Sequence, residues 1–328
     1  MTRVFCTLFN AVYLIRGLAL IESLARHCLD HRIYVFAMDE TSAGIIEQLA
    51  DPRVIAVRPG EFETAELLRV KPQRTLAEYF WTCTPQIVRH CLSRRGEAEC
   101  TYVDADVWLM ADPQPVFAEM GDASMLLTEH RYTPKHEQAA LRGRYCVQFM
   151  RFVGDAAGRL ALDWWCDRCI EWCHARTEDG KFGDQKYLDD WPQRFAGVHV
   201  SAHVGAGVAP WNVGRTCFRQ EAGQVQVADG GPWQPLVFFH FHGLVSYSAD
   251  SLCFAFGYRL PSQAKVLVYA AYARELQRLF ARWRGQLSGL AAQGPAPGAS
   301  NTGNGPRRAL RRIWGFPNTY SMQRLPGA

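Results

Sequence analysis

The fold is decided by residues 101–107, TYVDADV, in which an apolar strand runs directly into two carboxylates separated by one residue. Residues i and i+2 of a strand point to the same side, so Asp104 and Asp106 can direct oxygens to one point. In an α/β sheet that point lies outside the carboxyl end of the strand, where such sheets bind ligands. The stretch therefore predicts a ligand site at the end of a buried strand.

Two like charges held this close are costly unless a cation lies between them. A hard divalent ion with oxygen ligands, together with a diphosphate, satisfies the pair. We expect Mn²⁺ or Mg²⁺ at Asp104 and Asp106, where it would neutralise charge on a departing nucleotide diphosphate. The pattern Asp-x-Asp also arises by chance in turns and helix caps, so the pair alone would equally be solvated turn residues. Three later segments favour the metal site.

The first of these is residues 235–243, PLVFFHFHG, an apolar strand that ends in a His-x-His-Gly turn. Imidazole is a suitable third ligand for Mn²⁺, and Gly243 would let the backbone approach phosphates closely. An alternating pair also arises when one histidine faces the core with a hydrogen-bond partner. We therefore expect one metal ligand and one structural histidine among His240 and His242.

The other two segments are loops. Residues 179–188, DGKFGDQKYL, place Asp184 and Gln185 where a loop enters a short helix. Asp184 is an N-cap in one interpretation. In the other, this carboxylate and amide hold sugar hydroxyls or face an anomeric carbon. Residues 205–212, GAGVAPWN, form a turn-rich loop in which Trp211 can stack on a sugar ring and Asn212 can bond a hydroxyl.

Around the Asp-x-Asp strand, short apolar runs alternate with longer helical patterns, which indicates a parallel sheet covered by helices. The predicted strands are 4–9, 33–37, 54–57 and 100–103, and the predicted helices are 14–28, 43–49 and 76–92. After Pro113 the pattern predicts interrupted strands at 124–128 and 148–152, a Trp-rich helix over 156–175 and an amphipathic helix over 263–283. We expect this second half to cover one edge of the sheet and to supply an acceptor site.

Composition narrows the class of protein. The 328 residues are 48% hydrophobic, enough for a large core, and the net charge of +4 is spread along the chain, which does not indicate nucleic-acid binding. Because there is no run of eighteen apolar residues and no signal-peptide pattern, we expect a cytoplasmic protein. The 11 cysteines lie mostly in apolar segments and are expected to be buried and reduced.

Two further stretches have ordinary interpretations. Residues 285–306 are rich in Gly, Pro, Ala, Ser and Asn and predict a flexible linker. The basic residues 307–314 are a solvated tail or a contact with the anionic inner membrane, and the tail is the favoured interpretation.

Another set of residues resembles zinc ligands: Cys166, Cys169, Cys173 and His174. One continuous helix rarely supplies all the ligands of a structural zinc, so core packing is favoured.

Four segments in order, 104–106 (DAD), 182–185 (FGDQ), 209–212 (APWN) and 240–243 (HFHG), resemble the motifs of a bacterial glycosyltransferase group. That group lies in the nucleotide-diphospho-sugar transferase superfamily and is similar to the family-8 retaining enzymes. The resemblance implies a GT-A α/β/α sandwich with a mainly parallel, Rossmann-like sheet and a C-terminal helical extension. The implied domain covers 1–260, followed by the amphipathic helix over 261–284 and the linker and basic tail over 285–328.

The resemblance implies a reaction and its residues. A hexose would pass from a nucleotide-diphosphate sugar, with a UDP-sugar favoured, to a glycan, glycolipid or lipopolysaccharide-type acceptor, with retention. Asp104, Asp106 and His240 match the metal ligands, and Asp184 and Gln185 match the pair beside the donor sugar where the acceptor attacks. The expected contacts of the donor nucleotide are Thr7, Asn10, Tyr13, Asp39 and Lys71, with Trp211, Asn212 and Gly243 as further contacts.

The sequence departs from family 8 in two places. There a Lys-Pro-Trp element follows the His-x-x-Gly turn and holds the diphosphate, whereas residues 244–247 here are LVSY. The candidates for the replacing cation are Lys71, Arg74, Arg131 and Lys186. Residues 145–149, YCVQF, replace an Asn-Ser/Val-Gly segment, so Gln148 would face the sugar with a different hydrogen-bond pattern.

Two other functions stay open. A haloacid-dehalogenase-like phosphatase also has a strand followed by Asp-x-Asp-Val, with the first Asp as nucleophile, although that motif normally opens the chain. Its downstream acidic pair would be Asp189 and Asp190. The second alternative is a glycosyltransferase-like protein that binds a nucleotide sugar or glycan without turnover. The intact set of Asp104, Asp106 and His240 argues against it.

Overall fold

The computed structural model describes residues 2–248, 251–286 and 319–321. In chain order its strands are β1 (Arg3–Phe9), β2 (His31–Ala37), β3 (Val54–Val57), β4 (Glu99–Val103), β5 (Val107–Leu109), β6 (Met125–Glu129), β7 (Tyr145–Val153), β8 (Val198–Val200), β9 (Cys217–Glu221), β10 (Gln224–Ala228), β11 (Gln234–Pro235), β12 (Phe238–His240), β13 (Val245–Ser248), β14 (Ser251–Cys253) and β15 (Thr319–Ser321). Its α-helices are α1 (Leu14–His27), α2 (Glu40–Gln48), α3 (Pro59–Phe62), α4 (Ala65–Val70), α5 (Leu76–Ser93), α6 (Gln114–Ala118), α7 (Ala139–Arg142), α8 (Ala156–Glu171), α9 (Trp191–Arg194), α10 (Ser262–Ala264) and α11 (Ala270–Trp283). A π-helical stretch, Lys265–Tyr269, joins the last two helices.

A seven-stranded sheet in the order β3-β2-β1-β4-β7-β6-β8 forms the centre of the molecule. The strands from β3 to β4 are mutually parallel, and β8 is parallel to β6. Only β7 opposes its two neighbours in this sheet. Parallel neighbours require crossover connections, which α1, α2 and the α3–α5 segment supply. The prediction of a mainly parallel α/β sheet is confirmed.

The first strand shows why helices cover both faces of the sheet. Phe5 and Phe9 of β1 pack in one core with α1 and α11, whereas Val4, Cys6 and Leu8 pack in a second core with α5 and α8. Alternate residues of a strand point to opposite faces, so a strand buried on both sides is a continuous apolar run. The result is the predicted three-layer α/β/α sandwich.

Capping residues set the helix boundaries. α5 begins at Leu76, as predicted, because the Thr75 hydroxyl accepts from the Glu78 N–H and the Glu78 carboxylate accepts from the Thr75 N–H. α2 begins at Glu40, before its predicted start, because the Asp39 carboxylate accepts from the Ser42 N–H at 2.8 Å. Apolar periodicity predicted the start of α5 correctly, but it does not register the polar first turn of α2.

The second half of the chain differs from the expectation that it would cover an edge of the sheet. Its strands β7, β6 and β8 extend the central sheet itself, with β7 directly beside β4. β7 is antiparallel to both β4 and β6, so the series of parallel crossovers in the first half of the chain does not continue through these strands. Separate from this sheet, β9, β10 and β11 form a three-stranded antiparallel sheet, and β5 pairs with β12.

The C-terminal helix lies where the sequence predicts it. α11 packs on α1, and ion pairs join Arg278 to Glu22 and Arg26 to Glu275 across the contact. Within the described ranges, each helix is too short or too polar to cross a lipid bilayer. The predicted linker lies outside the described residues apart from 285–286, and the basic stretch 307–314 lies wholly outside them.

The four candidate zinc ligands are divided between the core and its edge. Cys166, Cys169 and Cys173 are fully buried in the core that α8 shares with α5. α8 ends at Glu171 and is therefore shorter than the predicted helix. His174 lies beyond this end, and its ring contacts Arg74. Burial of the thiols in an apolar layer accords with core packing.

Candidate metal and substrate site

Two paired strands bring the predicted metal ligands together. Asp104 follows the last residue of β4, and Asp106 precedes the first residue of β5. β5 pairs with β12 so that Val107 lies opposite His240, and the Phe241 N–H donates to the Asp106 carbonyl at 2.9 Å. The antiparallel ladder therefore places a histidine from the second half of the chain beside the Asp-x-Asp pair.

The three side chains form one cluster of ligand atoms. His240 Nε2 lies 3.1 Å from Asp106 Oδ1 and 3.8 Å from Asp104 Oδ2, and the ligand atoms of all three lie within 4.8 Å of one another. Two carboxylates and an imidazole are a donor set that fits Mn²⁺, and the two carboxylates suit Mg²⁺. His242 lines the neighbouring space but lies outside this cluster.

Opposite charges keep the cluster together. Burial alone would raise the pKa of Asp106, but the charge and hydrogen bond of His240, followed by the Arg16 guanidinium, lower it well below its ordinary value. Burial opposes protonation of His240, yet the charge and hydrogen bond of Asp106 raise its pKa well above its ordinary value. Burial raises the pKa of Asp104. Because imidazole binds metals in its neutral form, a cation entering here would displace the Nε2 proton.

Arg16 supports the cluster from behind. Its Nη1 lies 3.9 Å from Asp106 Oδ2, and its Nη2 donates to the Leu244 carbonyl at 2.7 Å. The side chain is buried in α1. An arginine inside the apolar run 14–21 was the signal in the sequence that could have identified it, because a charge is buried only when it is paired.

The cluster opens into a cleft of about 460 Å³, which is in the size range of small-molecule sites. Aromatic rings and a few polar groups from several elements form its walls. Besides the three predicted metal ligands, the lining includes Asn10, Tyr13, Phe80, Trp81, Tyr132, Arg142, Phe182, Asp184, Gln185, Trp211, His242 and Tyr258.

Asp184 and Gln185, which the resemblance places beside the donor sugar, form part of this wall. The Asp184 side chain is buried, and burial, followed by the negative charge of Asp104, raises its pKa to about 8. The Asp184 carbonyl accepts from the Trp165 indole N–H at 2.9 Å. The Gln185 amide donates to the Arg142 carbonyl at 2.9 Å. These two bonds hold the segment against Trp165 of α8 on one side and Arg142 of α7 on the other.

The predicted nucleotide contacts divide into two groups. Asn10 and Tyr13 line the cleft beside the end of β1. Thr7 is buried within β1 and Asp39 lies behind the loop, where its carboxylate accepts from the Ala11 N–H at 2.7 Å. The structure therefore brings Asn10 and Tyr13 to the cleft, while Asp39 supports the loop that carries them.

Trp211 and Asn212 also divide in this way. The Trp211 ring lines the cleft and meets the His240 ring edge to face, with centroids 5.2 Å apart. Asn212 is buried, and its amide donates to the carbonyls of His130 and Gly207, both at 2.8 Å. Asn212 thus shapes the loop and does not line the cleft.

Gly243 has a φ of +73°, which favours glycine, and its carbonyl accepts from the Phe256 N–H at 2.7 Å. Its Cα lies just past the cleft-lining His242. The left-handed backbone turns the chain back towards Phe256 at this point. Gly243 therefore turns the chain beside the cluster of Asp104, Asp106 and His240.

The cations expected to hold a diphosphate are all engaged away from the cleft. Their partners are Glu63 for Lys71, His174 for Arg74, the carbonyls of His203 and Ala206 for Arg131, and Asp189 for Lys186. Among the described residues that line the cleft, Arg142 alone has a Lys or Arg side chain. Its guanidinium lies over the Phe182 ring, 5.2 Å from the centroid. No motif in the sequence indicated it.

Two proteins of Bacillus subtilis (strain 168) are similar to the chain along most of its length. YfnD is 33% identical over 281 residues, which cover 84% of this chain and 88% of YfnD. The chain belongs to the YfnD family. YfnF is 34% identical over 251 residues, covering 74% of this chain and 82% of YfnF. Both relatives are described as uncharacterized proteins, and no protein-family model matches the sequence.

The fold of this YfnD-family chain is similar to that of the galactosyltransferase LgtC. A crystal structure of LgtC in complex with donor and acceptor sugar analogs superposes with a TM-score of 0.50 at 13% identity. An active-site mutant of LgtC superposes with a TM-score of 0.52 at 11% identity. Each comparison covers 86% of this chain and 99% of LgtC. The likeness confirms the predicted GT-A fold, and membership of family 8 stays a prediction.

Proposed function

We propose that this chain is a metal-dependent glycosyltransferase. It moves a hexose from a nucleotide-diphosphate sugar, with a UDP-sugar as the favoured donor, to a hydroxyl of a glycan or lipopolysaccharide-type acceptor. The observation that carries the proposal is the cluster of Asp104, Asp106 and His240 in the wall of a cleft within a GT-A fold. A diphosphate with a base and a sugar attached is a ligand that uses both a divalent cation and a cleft of this size.

In the proposed reaction the bond between the anomeric carbon and the diphosphate oxygen breaks. A bond from the acceptor oxygen to that carbon forms, and the acceptor proton passes to the departing diphosphate. Mn²⁺ or Mg²⁺, when bound, supplies positive charge that stabilises the leaving group. Asp104, Asp106 and His240 would hold it.

The nucleotide end of the donor would lie at Asn10 and Tyr13. The Tyr13 ring rests against the Arg16 guanidinium, 4.5 Å from the centroid, which holds the ring at the cleft. Arg142 would bind phosphate oxygens in place of the missing Lys-Pro-Trp lysine, because a guanidinium matches phosphate geometry. This assignment replaces the four cations that are engaged elsewhere.

Asp184 and Gln185 would lie beside the anomeric carbon of the donor. Positive charge that develops on this carbon favours the ionised form of a nearby carboxyl group, and the carboxylate in turn stabilises that charge. We propose transfer with retention, on the likeness of the four sequence motifs to those of family-8 enzymes. That warrant is an analogy of motifs.

The acceptor would enter past aromatic side chains. Trp81, Phe182, Tyr132 and Tyr258 line the cleft and offer flat apolar surfaces, and the Trp and Tyr side chains add a polar group at the edge of the ring.

The same proposal includes a cytoplasmic location. It also includes a contact of residues 307–314 with the anionic inner membrane, since a polybasic segment is attracted to such a surface.

Release of nucleotide diphosphate from a panel of UDP-, GDP- and ADP-sugars, with and without Mn²⁺, tests the proposal. Wild type is compared with Asp106→Asn and with the matched control Asp122→Asn, which changes an exposed carboxylate outside the cleft. We expect Mn²⁺-dependent release from one class of donor in wild type and in the control, and its loss in Asp106→Asn.

Two results would count against the transferase. If no donor is cleaved while a phosphomonoester is hydrolysed, the result supports the phosphatase alternative. If the protein binds nucleotide sugar with Mn²⁺ but releases no nucleotide diphosphate, with or without glycan acceptors, the result supports a binding role without turnover.

A further inference from the structure

Gln148 is a polar residue in the middle of the buried strand β7, and its side chain is fully buried. An amide in this position costs free energy unless both of its ends are hydrogen-bonded. Both ends are: Oε1 lies 2.8 Å from His240 Nδ1, and Nε2 donates to Thr128 Oγ1 at 3.2 Å. Gln148 therefore belongs to a network and does not face a substrate sugar, contrary to the sequence-based expectation.

The backbone of Gln148 holds the other side of the metal cluster. Its carbonyl accepts from the Asp104 N–H at 3.0 Å, directly after the last β4–β7 pair, Val103 with Phe149. One residue is thus bonded to two of the three candidate metal ligands. Through β7 it joins the end of β4 to the end of β12.

The direction of the His240 bond decides which ring nitrogen is available to a metal. The Gln148 carbonyl oxygen accepts, so Nδ1 carries a hydrogen and Nε2 is the atom that faces Asp104 and Asp106. Second hydrogen bonds of this kind fix the ring orientation and tautomer of histidines that bind metals. The Thr128 contact orients the Gln148 amide in turn.

The loop at 205–209 makes room for this amide. Gly207 has a φ of +85°, and a Cβ at this position would lie 2.7 Å from Gln148 Nε2. The next residue, Val208, accepts at its carbonyl from the His240 N–H at 2.9 Å. The same loop therefore both supports the backbone of His240 and leaves space for the residue that orients its ring.

We propose that Gln148 is the positioning residue of the metal site. It holds His240 through its side chain and Asp104 through its backbone, so that their ligand atoms face one point before a cation binds. This inference rests on the proposed metal-dependent function and deepens it.

The test is Mn²⁺ binding to the full chain, followed by electron paramagnetic resonance of free Mn²⁺, with and without UDP. Gln148→Met keeps the length of the side chain and removes the acceptor, whereas Gln148→Glu keeps an oxygen that accepts from Nδ1. We expect the Kd for Mn²⁺ to rise about 10–100-fold in Gln148→Met, as for other residues that orient metal ligands. We expect Gln148→Glu to stay close to wild type.

Thermal unfolding separates misfolding from loss of positioning. If Gln148→Met does not fold, Thr128→Val is the variant to test. It removes the hydrogen bond that orients the Gln148 amide, and we expect it to weaken Mn²⁺ binding as well. Unchanged Mn²⁺ affinity in a folded Gln148→Met, or an equal loss in the Glu variant, would overturn the proposal. Absence of Mn²⁺ binding by wild type in both conditions would instead reject the metal-dependent function itself.

Discussion

Aspartates in two parts of the cleft wall have opposite surroundings. At the end of β4, Asp106 lies 3.1 Å from the His240 imidazole and 3.9 Å from Arg16, which lower its pKa although it is buried. Asp184 is buried as well, and burial, followed by the like charge of Asp104, raises its pKa to about 8. Burial acts alike on both, so the neighbouring charges decide the difference.

The difference indicates two tasks for one residue type. A carboxylate that stays ionised while buried can exchange its protein cations for a metal. A carboxyl group that carries a proton at neutral pH can donate a hydrogen bond to a sugar and respond to charge on the anomeric carbon. The two parts of the wall would thus act on the diphosphate and on the sugar separately.

The largest expected effect comes from Asp106→Asn. Removing one of two charged ligands should abolish measurable Mn²⁺ binding and lower donor cleavage about 10³-fold, since charge stabilisation of the leaving group is lost. Mn²⁺ titration and product release measure the two effects. If Asp106→Asn still bound Mn²⁺ with wild-type affinity, the assignment of Asp106 as a metal ligand would be contradicted.

Asp184→Asn should separate the two tasks. We expect a turnover number about 10²-fold lower, from loss of stabilisation at the anomeric carbon, with unchanged Mn²⁺ affinity. Steady-state kinetics and Mn²⁺ titration on the same preparation measure this. A loss of Mn²⁺ binding comparable with that of Asp106→Asn would show that the two parts of the wall act as one.

Arg142→Ala should raise the KM for the donor at least about tenfold, because a charge-assisted hydrogen bond to phosphate contributes about 1.5–3 kcal/mol. The matched control is Arg144→Ala, whose guanidinium pairs with Glu129 outside the cleft. Calorimetry with UDP and uridine distinguishes the contact: UDP should bind more weakly and uridine equally well. Equal weakening of both ligands would place Arg142 away from the phosphates.

The smallest expected effect is on stability against pH in the presence of a chelator. The pKa of Asp184 is about 8 in the folded state and about 3.9 in an unfolded chain, so the folded state binds this proton more tightly. The resulting stability is complete below about pH 4 and is lost as pH rises through 8. We therefore expect Asp184→Asn to raise the Tm by several degrees at pH 8.

Thermal scans of both proteins at pH 4.5 and pH 8 check this expectation. At the lower pH the two Tm values should approach each other, since Asp184 is then protonated in the folded state. An equal difference at both pH values would mean that the substitution acts through packing and not through the buried charge.

Local pattern determined much of this protein. The apolar run of β1, the apolar run that ends at Asp104 and the helical spacing of α1 and α5 are local patterns, so the sequence alone indicated them. The Asp-x-Asp pair belongs with them because its two carboxylates are neighbours in the sequence, although the structure places both in the turn between β4 and β5 and not on a strand. The mainly parallel α/β sheet and the position of the Asp-x-Asp pair were therefore within reach of sequence patterns, whereas the GT-A fold was implied by the resemblance of four motifs.

The tertiary structure decided which distant residues meet. The choice of His240 over His242 depends on the pairing of β5 with β12, and the contact of Gln148 with His240 depends on residues 92 apart in the chain. It also separated Arg142, which lines the cleft, from Lys71, which pairs with Glu63. Charge and residue type are local properties, but whether a side chain faces a cleft depends on how the strands pair and pack. For that reason the sequence could indicate the chemistry of the site, and only the folded chain could assign its neighbours.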